Sequence, residues 1–542
     1  MALLLRTRTV VSTLAPTFLS PLAAAWRARG LWRRETLWEA FAATASRRAT
    51  AIAVVDGATR LDFATLARCA EGLAGALWGL GIRPGDRVAL VVPPCWEGIA
   101  SLLAIARAGA VAVPALPIHR HRELGFILDR SAARACIVAP GVPLDIVREL
   151  RPRLPALERL LVLGGELQAG EHRWPPPEPV PAVPPAAARA EDVVLLLHTS
   201  GTTADPKGVL HTHETLLAEA RSLGPVHGLG EQDVTLVPSS PGHIAGIVHA
   251  LLVPAVYGAR AVLLERWTPA GALAAMAAEG VTYLVGAPVL LRALATHPER
   301  ARYDLARFRL FSCGGAAVDP GLVAQAARQL GCVAKRVYGS TEFPTIATTA
   351  PDDPPARALD SDGRAIGAAE IRIVDAHGSE VACGQEGEIQ ARGPDCCVGY
   401  HDPARTAESF TPDGWFRTGD LGWLDDAGFL RVTGRLKDVI IRKGENISAP
   451  ELEALLATHP GIAEVAVIGL PDPERGEIAC AVVVARHGAP TPTLEALATH
   501  LRAQGLSSRK LPERLSIVDA LPRTASGKVQ KPLLRAQLLD RR

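Results

Sequence analysis

The sequence predicts an α/β protein with more than one domain. Its 542 residues are too many for a single hydrophobic core, which favours a split into several domains. Hydrophobic residues make up 48% of the chain and charged residues 21%, which is the composition of a globular enzyme rather than of a disordered chain. Along most of the chain, helical patterns alternate with short apolar runs, and this alternation is typical of parallel sheets covered by helices on both faces.

The first part of this pattern lies in the N-terminal third of the chain. Helices are predicted at residues 61–80 and 98–108, and strands at 87–93 and 110–114. A proline-rich stretch at 174–185 is predicted to be a surface connection, after which the alternation resumes. The resumed pattern comprises strands at 193–197, 235–238, 261–264, 281–285 and 309–312 and helices at 209–223, 270–279 and 321–330.

Two smaller units follow. From residue 363 to 432 helices give way to short strands and turns, which predicts a small β-rich subdomain. Beyond a join near 434–438, a second α/β unit with its own mixed sheet is predicted. Its elements are helices at 450–458 and 493–504 and strands at 462–470 and 478–486.

A hydroxyl-rich loop, residues 198–208, follows an apolar run and leads into the helical stretch that begins at Val209. Gly201 and Gly208 let the backbone turn its N–H groups toward an anion, and Lys207 adds positive charge. Because the N-terminus of the following helix would add a favourable dipole, the loop is predicted to hold a polyphosphate. It is not the GxxxxGK[ST] P-loop, since no Ser or Thr follows a Gly-Lys pair. Taken alone, a polar surface turn is the alternative.

Lysine usage points to the same loop and to three other places. Only seven of the 58 basic residues are lysines, so a lysine among arginines indicates that a compact point charge is needed. Four of the lysines lie among glycines and polar turn residues, whereas chance retention on the surface is favoured for Lys335, Lys510 and Lys531. The four are Lys207, Lys437, Lys443 and Lys528.

Further polar turn segments follow the loop in a fixed order, at 338–342 (YGSTE), 415–420 (WFRTGD), 434–438 (GRLKD), 442–446 (RKGEN) and 522–528 (PRTASGK). Together with the opening loop, these segments resemble the signatures of the adenylate-forming superfamily, which comprises acyl-CoA synthetases, adenylation domains and luciferases. The resemblance extends from about residue 38 to the C-terminus.

The resemblance implies an α/β fold with a large N-terminal domain, made of two α/β subdomains plus a β-barrel subdomain, and a small mobile α+β C-terminal domain. We expect a lead-in at residues 1–37, an N-terminal AMP-binding domain at 38–434 and a C-terminal domain at 435–542, with a hinge at Lys437. The resemblance also implies a reaction in which a carboxylate and ATP give acyl-AMP and pyrophosphate, after which a thiol takes the acyl group. The implied ligands are ATP, Mg²⁺ and, as co-substrate, coenzyme A.

The resemblance further assigns roles to single residues. Lys528 would bridge the acyl carboxylate and the phosphate, where preorganised positive charge lowers the barrier to attack on a polyanion. Thr341 would bond the α-phosphate, and Glu342 would bind Mg²⁺, an ion that uses one or two carboxylates together with phosphates. Asp420 would accept from both ribose hydroxyls, with Arg435 beside it as a ribose or phosphate contact.

The implied hinge at Lys437 would bring Lys443 and Gly444 into the thiol tunnel when Lys528 swings out. The predicted site is therefore assembled from both domains. The catalytic residues are predicted to be Lys528, Thr341, Glu342, Lys207 and His243, and the metal ligands Glu342 and Thr202. The predicted nucleotide and cofactor contacts are Thr199, Ser200, Gly201, Thr202, Thr203, Lys207, Gly314, Gly315, Ala316, Tyr338, Gly339, Ser340, Thr341, Asp420, Arg435, Lys437, Lys443, Gly444 and Lys528.

The segment 239–246 resembles the substrate segment of the family, with His243 near the substrate carboxylate and a buried structural histidine as the alternative. It lacks the aspartate that holds the ammonium group in amino-acid-activating relatives, so an amino acid is not expected. The wall formed by 313–316 with Gly339 and Ser340 is small and apolar, which favours a medium-chain, alicyclic or aromatic acid. Ala204 replaces a usual glycine and is expected to be a tolerated variant.

Coenzyme A is the favoured acceptor, because the sequence ends soon after Lys528 without the serine motif of a carrier domain. Delivery to a separate carrier protein is the alternative. A non-catalytic relative that binds nucleotide or acyl groups is the alternative of another class, and only Ala204 supports it. The oligomeric state, monomer or homodimer, is left open.

Composition excludes other partners and gives a location. With a net charge of +2 and 4% aromatic residues, the chain has no basic block interleaved with aromatics, so no nucleic-acid binding is expected. No apolar run is long enough to form an integral membrane segment, and nine cysteines without metal-ligand spacing suit a cytoplasmic protein. Residues 1–34 contain no acidic residue and resemble a mitochondrial transit peptide, although an ordinary lead-in helix is favoured.

Overall fold

The computed structural model describes residues 19–175, 183, 188–199, 206–316, 318–442, 445–472, 475–504, 506, 510–523 and 528–540. In chain order, the first elements are α1 (Leu19–Ala28), α2 (Leu37–Arg47), β1 (Ile52–Asp56), β2 (Thr59–Asp62), α3 (Phe63–Gly79), β3 (Arg87–Val91), α4 (Trp96–Arg107), β4 (Val111–Pro114), α5 (His121–Arg130), β5 (Ala135–Val138), α6 (Val142–Leu150), β6 (Arg159–Leu163) and β7 (Glu171–Trp174).

The middle of the chain continues the alternation of strands and helices. Its elements are β8 (Val193–Thr199), β9 (Lys207–Thr212), α7 (His213–His227), β10 (Val234–Val237), α8 (Ile244–Ile247), α9 (Val253–Tyr257), β11 (Arg260–Leu263), α10 (Pro269–Glu279), β12 (Tyr283–Gly286), α11 (Pro288–Ala295), β13 (Leu310–Gly314), α12 (Pro320–Leu330), β14 (Val333–Tyr338), β15 (Ala347–Thr348), α13 (Arg357–Asp360) and β16 (Arg364–Ala365).

The last part of the chain is richer in strands. Its elements are β17 (Glu370–Val374), β18 (Gly387–Arg392), β19 (Gly399–Tyr400), α14 (Pro403–Ser409), β20 (Phe416–Leu424), β21 (Leu430–Arg435), β22 (Val439–Arg442), β23 (Glu445–Ser448), α15 (Ala449–Leu456), β24 (Ile462–Asp472), β25 (Gly476–Ala485), α16 (Leu494–Ala503), β26 (Arg514–Ile517) and α17 (Lys531–Asp540).

Two large, mainly parallel sheets form the first two layers. One has the order β16-β15-β14-β13-β12-β10-β11-β1-β2, and the other β19-β9-β8-β4-β3-β5-β6-β7. The parallel pairing follows from sequence, because a strand such as β3 is buried on both faces and reads as a continuous apolar run. Helix α4 is also buried around most of its circumference, with Leu103, Ala104 and Ile105 fully inaccessible, and contributes to the main core with α2, α3 and α7.

The predicted β-rich subdomain is a four-stranded antiparallel sheet with the order β17-β18-β20-β21. Within the described residues its two outer strands do not pair with each other, so the sheet is open where a barrel was expected. The fourth sheet, β23-β22-β25-β24 with β26 beside β25, carries its own apolar core against α15 and α16. A large α/β part and a separate small α+β part are thereby confirmed, whereas the domain boundaries stay a prediction.

The predicted helix at 209–223 is wrong at its start. Val209 and Leu210 lie in β9, which pairs antiparallel with β8 opposite Leu197 and Leu196, and this pairing buries both apolar side chains. Helix α7 begins only at His213, where the Thr212 hydroxyl accepts from the Thr215 N–H at 3.2 Å as an N-cap. The polar loop therefore joins two strands, and no helix N-terminus follows it directly.

The proline-rich stretch also differs from the expected surface connection, because it begins in the interior. Trp174 is 1% exposed and its indole N–H donates to the Ser101 hydroxyl at 2.8 Å. Residues 176–182 and 184–187 lie outside the described residues.

The lead-in favoured for the N-terminus packs against the rest of the chain, with Ala23, Trp26 and Trp32 buried. Arg27 forms a two-bond ion pair with Glu214, which is buried in α7. Trp32 donates from its indole N–H to the Pro394 carbonyl at 2.8 Å. Residues 1–18 lie outside the described part of the chain. No helix within the described residues is both long and apolar enough to cross a membrane.

Candidate functional site

The candidate site lies where parallel strands β13 and β14 end, the edge of an α/β sheet at which ligands usually bind. Two glycines allow the backbone to pack closely there. A Cβ on Gly314 would lie 2.4 Å from the Val337 carbonyl oxygen, and one on Gly339 would lie 2.1 Å from the Pro344 carbonyl oxygen. Their small size is thus required by the packing of the turns themselves. Gly315 has a φ of +78°, and both it and Ala316 are exposed at this edge.

Tyr338, Asp420 and Arg435 form one corner of the site. The Tyr338 hydroxyl donates to Asp420 Oδ2 at 2.8 Å, and Arg435 Nε lies 2.9 Å from Oδ1. Antiparallel pairing of β20 and β21 sets this geometry, because Asp420 and Arg435 are opposite each other. Burial raises the pKa of Asp420, while Arg435, Tyr338 and then Lys528 act to lower it. Each carboxylate oxygen has a second lone pair, so both can still accept from a diol.

Glu342 forms a second corner. Its Oε1 accepts from the Tyr400 hydroxyl at 2.7 Å, and its backbone carbonyl accepts from the Cys397 N–H at 2.7 Å. Lys207 Nζ lies 5.3 Å from the centre of the Tyr400 ring, within the range of a cation–π contact. Burial lowers the pKa of Lys207, Glu342 partly restores it, and Lys437 lowers it again. Lys207, Glu342 and Lys437 therefore share one electrostatic environment.

Thr341 is fixed through its backbone. Its carbonyl oxygen lies 2.8 Å from Nε2 of His211, which is completely buried in β9. Burial lowers the pKa of His211 to about 4, so the ring is neutral at pH 7 and Nε2 must carry the proton that it donates to the carbonyl. Ser340 closes the same turn, since its N–H donates to the Phe343 carbonyl at 2.9 Å.

His243 stands at the N-cap of α8, where its Nδ1 accepts from the Ala245 N–H at 3.2 Å. Burial, and after it the charge of Lys528, lowers the pKa of His243 to about 4. The neutral ring thus has a structural role as a cap and also lies in the electrostatic field of Lys528.

Lys528 brings the C-terminal part of the chain to this site. Its ammonium group acts on Asp420 and His243. Burial lowers the pKa of Lys528, Arg435 lowers it further, and Asp420 and Glu342 raise it. Residues of five separate segments, each singled out from sequence, therefore converge on one place.

Other predicted contacts are only partly located. Thr199 pairs with Lys207 across β8 and β9 at the base of the polar loop, and Lys437 lies in a single 3₁₀ turn, Leu436–Asp438, directly after β21. The remaining predicted contacts lie outside the described residues, as does Ala204; they are Ser200, Gly201, Thr202, Thr203, Lys443 and Gly444.

Sequence reasoning missed Tyr400 and His211. Tyr400 is 58 residues from the carboxylate it contacts, and its only signal is the preceding Gly399, whose φ of +131° a glycine readily adopts. His211 looks like one of several histidines around α7. Nothing in its spacing indicates that it holds the Thr341 carbonyl.

The residues present fit a phosphate-bound Mg²⁺ better than a protein-enclosed metal. Within the described part of the chain, no group of three or more His, Cys, Asp or Glu side chains could enclose an ion. Glu342 provides a single carboxylate beside Lys207. That matches the preference of Mg²⁺ for one or two carboxylates plus phosphate oxygens and water.

Two family models match the chain. The model for "AMP-binding enzyme" matches residues 41–401, and that for "AMP-binding enzyme C-terminal domain" matches 451–528. The chain is similar to the medium-chain fatty-acid–CoA ligase of Escherichia coli (strain K12), with 35% identity over 538 residues, 97% of this chain and 94% of the relative. It is also similar to the salicyl-AMP ligase / salicyl-S-ArCP synthetase of Mycobacterium tuberculosis, with 36% identity, 95% of this chain and 93% of the relative.

Among solved structures, the anthranilate CoA ligase AuaEII in complex with anthranoyl-AMP is similar to this chain. The TM-score is 0.85 at 27% sequence identity, covering 94% of this chain and 98% of that one. The likeness extends over both the large and the small part of the fold.

Proposed function

Because the chain belongs to the AMP-binding enzymes of the adenylate-forming superfamily, we propose that it converts a carboxylic acid into its coenzyme A thioester. In the first half-reaction the carboxylate attacks the α-phosphate of ATP, which gives acyl-AMP and releases pyrophosphate. In the second, the thiol of coenzyme A attacks the acyl carbon and AMP leaves. The coarser activity, an AMP-forming ligase, follows from the family; the acid and the acceptor are the proposal.

The observation that carries this proposal is the convergence of Lys528 with Asp420 and Glu342. Two anions must meet in the first half-reaction, so the barrier is largely electrostatic and fixed positive charge lowers it. Lys528 supplies one such charge from the C-terminal part, and Lys207 a second from the base of the polar loop. Glu342 and Thr202 would hold Mg²⁺, and its charge would neutralise further negative charge.

The remaining residues bind and orient the nucleotide and the acid. Asp420 would accept from the ribose hydroxyls, with Tyr338 and Arg435 fixing the orientation of its carboxylate. Thr341 would donate to the α-phosphate from a turn that His211 holds in place. His243 would border the acid carboxylate as a neutral group. We also propose the boundaries 38–434 and 435–542 for the two domains, with Lys437 as the pivot.

A medium-chain, alicyclic or aromatic acid is the proposed substrate. The segment 239–246 has no aspartate to hold a substrate ammonium group. The neutral ring of His243 has no negative charge that could take the place of such an aspartate. The names of the two ligase relatives, one for medium-chain fatty acids and one for anthranilate, support acids of this size.

Delivery of the acyl group to a carrier protein is the second candidate, since a relative of equal similarity is named as an S-ArCP synthetase. A non-catalytic relative is opposed by the proximity of Lys528, Glu342 and Asp420, which such a protein would have no need to keep together.

The test is pyrophosphate release with ATP, Mg²⁺ and a panel of straight-chain, alicyclic, aromatic and amino acids, with and without coenzyme A. We expect acid-dependent release from at least one non-amino acid, and an acyl-CoA product by mass spectrometry when coenzyme A is added. Acyl-AMP that forms but never reaches coenzyme A would favour the carrier protein. Absence of acid-dependent release with every acid would contradict the proposal.

A further inference from the structure

Lys531 has contacts that its sequence does not reveal. Chance retention on the surface is the interpretation favoured for it from sequence, but its side chain is only 19% exposed. Its Nζ lies 2.8 Å from Oε1 of Glu453 and 3.8 Å from Oδ2 of Asp438. Glu453 belongs to α15, and Asp438 directly follows the proposed pivot Lys437 in the 3₁₀ turn Leu436–Asp438, here called the hinge turn. One ammonium group therefore joins α15 to the hinge turn.

The Glu453 carboxylate is also fixed by the sheet. Its Oε1 accepts from the Val467 N–H of β24 at 2.6 Å. Burial raises the pKa of Glu453, Lys531 acts to lower it, and Asp438 raises it again. Two carboxylates that share one ammonium group repel each other when that charge is removed. Lys531 thus offsets the repulsion between the hinge turn and α15.

The base of the segment that carries Lys528 is closed by hydrogen bonds. The Gln530 N–H donates to the Pro522 carbonyl at 2.8 Å, and the Gln530 side-chain amide donates to the Arg523 carbonyl at 2.8 Å. Helix α17 begins at the next residue, Lys531. Lys528 therefore lies only three residues before the ammonium group that holds the hinge turn.

Helix α17 is held on the sheet of the C-terminal part. Its Leu534 and Leu538 belong to one buried apolar cluster with Leu470 of β24 and Cys480 of β25. The backbone that leads from the base of the Lys528 segment into α17 is therefore anchored. The ion pair with Asp438 attaches this anchored backbone to the residue next to the proposed pivot.

We propose that Lys531 is a positioning residue, whose two ion pairs tie the Lys528 segment to the hinge turn. The inference rests on the proposed function, in which Lys528 serves acyl-AMP formation and Lys437 is the pivot. Rotation at the pivot then moves the hinge turn, α15 and Lys528 as one body, so that the Lys528 ammonium group reaches the phosphate in a fixed geometry. Without the tie, that ammonium group is misplaced when acyl-AMP forms.

The first experiment compares the two half-reactions in Lys531→Met. Pyrophosphate release should fall about tenfold, a milder loss than that from a fully misplaced group, while thioester formation from preformed acyl-AMP stays near the wild-type rate. The loss should appear in kcat with KM for ATP little changed, since the tie serves the transition state. Lys531→Arg should restore the rate, because a guanidinium can pair with two carboxylates. Equal loss in both half-reactions would overturn the positioning role.

Lys510→Met is the matched control. Lys510 pairs with Glu451 of α15 at 2.6 Å, so this variant removes a lysine–carboxylate pair of the same helix without changing Asp438 or Glu453. Both half-reactions should stay near the wild-type rates. A selective loss of pyrophosphate release as large as that in Lys531→Met would show that any lost ion pair of α15 has this effect, and would overturn the inference.

A double-mutant cycle tests whether Lys531 acts through Lys528. If it does, Lys531→Met should cause no further loss of pyrophosphate release in a Lys528→Ala protein, because the group that it positions is already gone. A further loss of about tenfold in that background would show that the two residues act independently, and the proposal would then be wrong.

Hydrogen exchange gives a readout that needs no substrate. In Lys531→Met, backbone exchange should become faster in two peptides at once, one spanning the hinge turn and β22 and the other spanning the base of the Lys528 segment and α17. Lys510→Met should leave both peptides unchanged. If no acid supports pyrophosphate release, the proposed function fails, while exchange still decides whether the tie exists. Unchanged exchange at the hinge turn would overturn the tie even in an active enzyme.

Discussion

The two sides of the candidate site differ in how their groups are held. On the N-terminal side, Asp420 and Glu342 are each fixed by a tyrosine hydroxyl at 2.8 and 2.7 Å. On the C-terminal side, Lys528 acts on the same carboxylates through its charge, from a part of the chain that has its own sheet and core. Asp420 and Glu342 are thus held by tyrosine hydroxyls of the N-terminal part, and neither of these two hydrogen bonds involves Lys528. We therefore propose that Asp420 and Glu342 bind their ligands throughout the reaction, and that Lys528 serves only the formation of acyl-AMP.

Replacement of Lys528 by alanine gives the largest expected effect. Acyl-AMP formation should fall by about 1,000-fold, as when a preorganised electrostatic group is removed. Thioester formation from preformed acyl-AMP should be spared, because the proposed role of the lysine is a phosphate contact in the first conformation alone. Separate assays of pyrophosphate release and of thioester formation check this. Equal loss in both assays would show that Lys528 acts in both half-reactions rather than in the first alone.

Replacement of Lys437 by proline tests whether the C-terminal part must move. Proline fixes φ in the 3₁₀ turn after β21, so the second conformation should become inaccessible. Thioester formation should fall by about 100-fold, the cost of misplaced groups, while acyl-AMP forms and stays bound. The control is a near-normal adenylation rate in the same protein. Wild-type transfer to coenzyme A would refute both the pivot and the two-conformation mechanism.

Replacement of Asp420 by alanine tests the carboxylate that Tyr338 holds in the N-terminal part of the site. A contact made equally in the ground and transition states changes KM more than kcat. KM for ATP should therefore rise about tenfold, with KM for the acid nearly constant, as expected for the loss of hydrogen bonds to a charged group. Circular dichroism and thermal melting serve as the control. A lowered melting temperature together with an unchanged KM for ATP would reduce Asp420 to a structural residue of the β20–β21 pair.

Replacement of Tyr400 by phenylalanine should have the smallest effect. The ring that faces Lys207 stays, and only the hydroxyl that donates to Glu342 is lost. The half-saturating Mg²⁺ concentration should rise about fivefold, consistent with one hydrogen bond. Tyr338→Phe is the matched variant, which removes the equivalent hydroxyl from Asp420 and should change KM for ATP instead. The same response in both variants would show that the two corners do not act separately.

Most elements of the fold could be predicted from sequence because their apolar periodicity is strong. Segments such as α3, β3 and α4 lie within a few residues of their expected positions. The error at Val209 has a physical cause, since a short apolar run before a helix has no period of its own. Its pairing with β8 depends on a partner strand across the loop, which no local pattern reveals.

The candidate site could be predicted only where its residues form contiguous motifs. Lys528, Glu342 and Asp420 each lie in a recognisable segment, and the structure brings these three together. Their support could not be predicted, because Tyr400 contributes through a contact between distant segments.

The packing of α1 limits where the polypeptide can be cut or extended. The Trp32 indole N–H, four residues after α1, donates to the Pro394 carbonyl. Arg27 of α1 forms an ion pair with Glu214 of α7. Proteolytic removal up to residue 34 would open this region to water and leave Glu214 without its cation. Fusion partners and affinity tags should therefore be attached ahead of residue 19, and enzyme engineering that shortens the N-terminus should stop there.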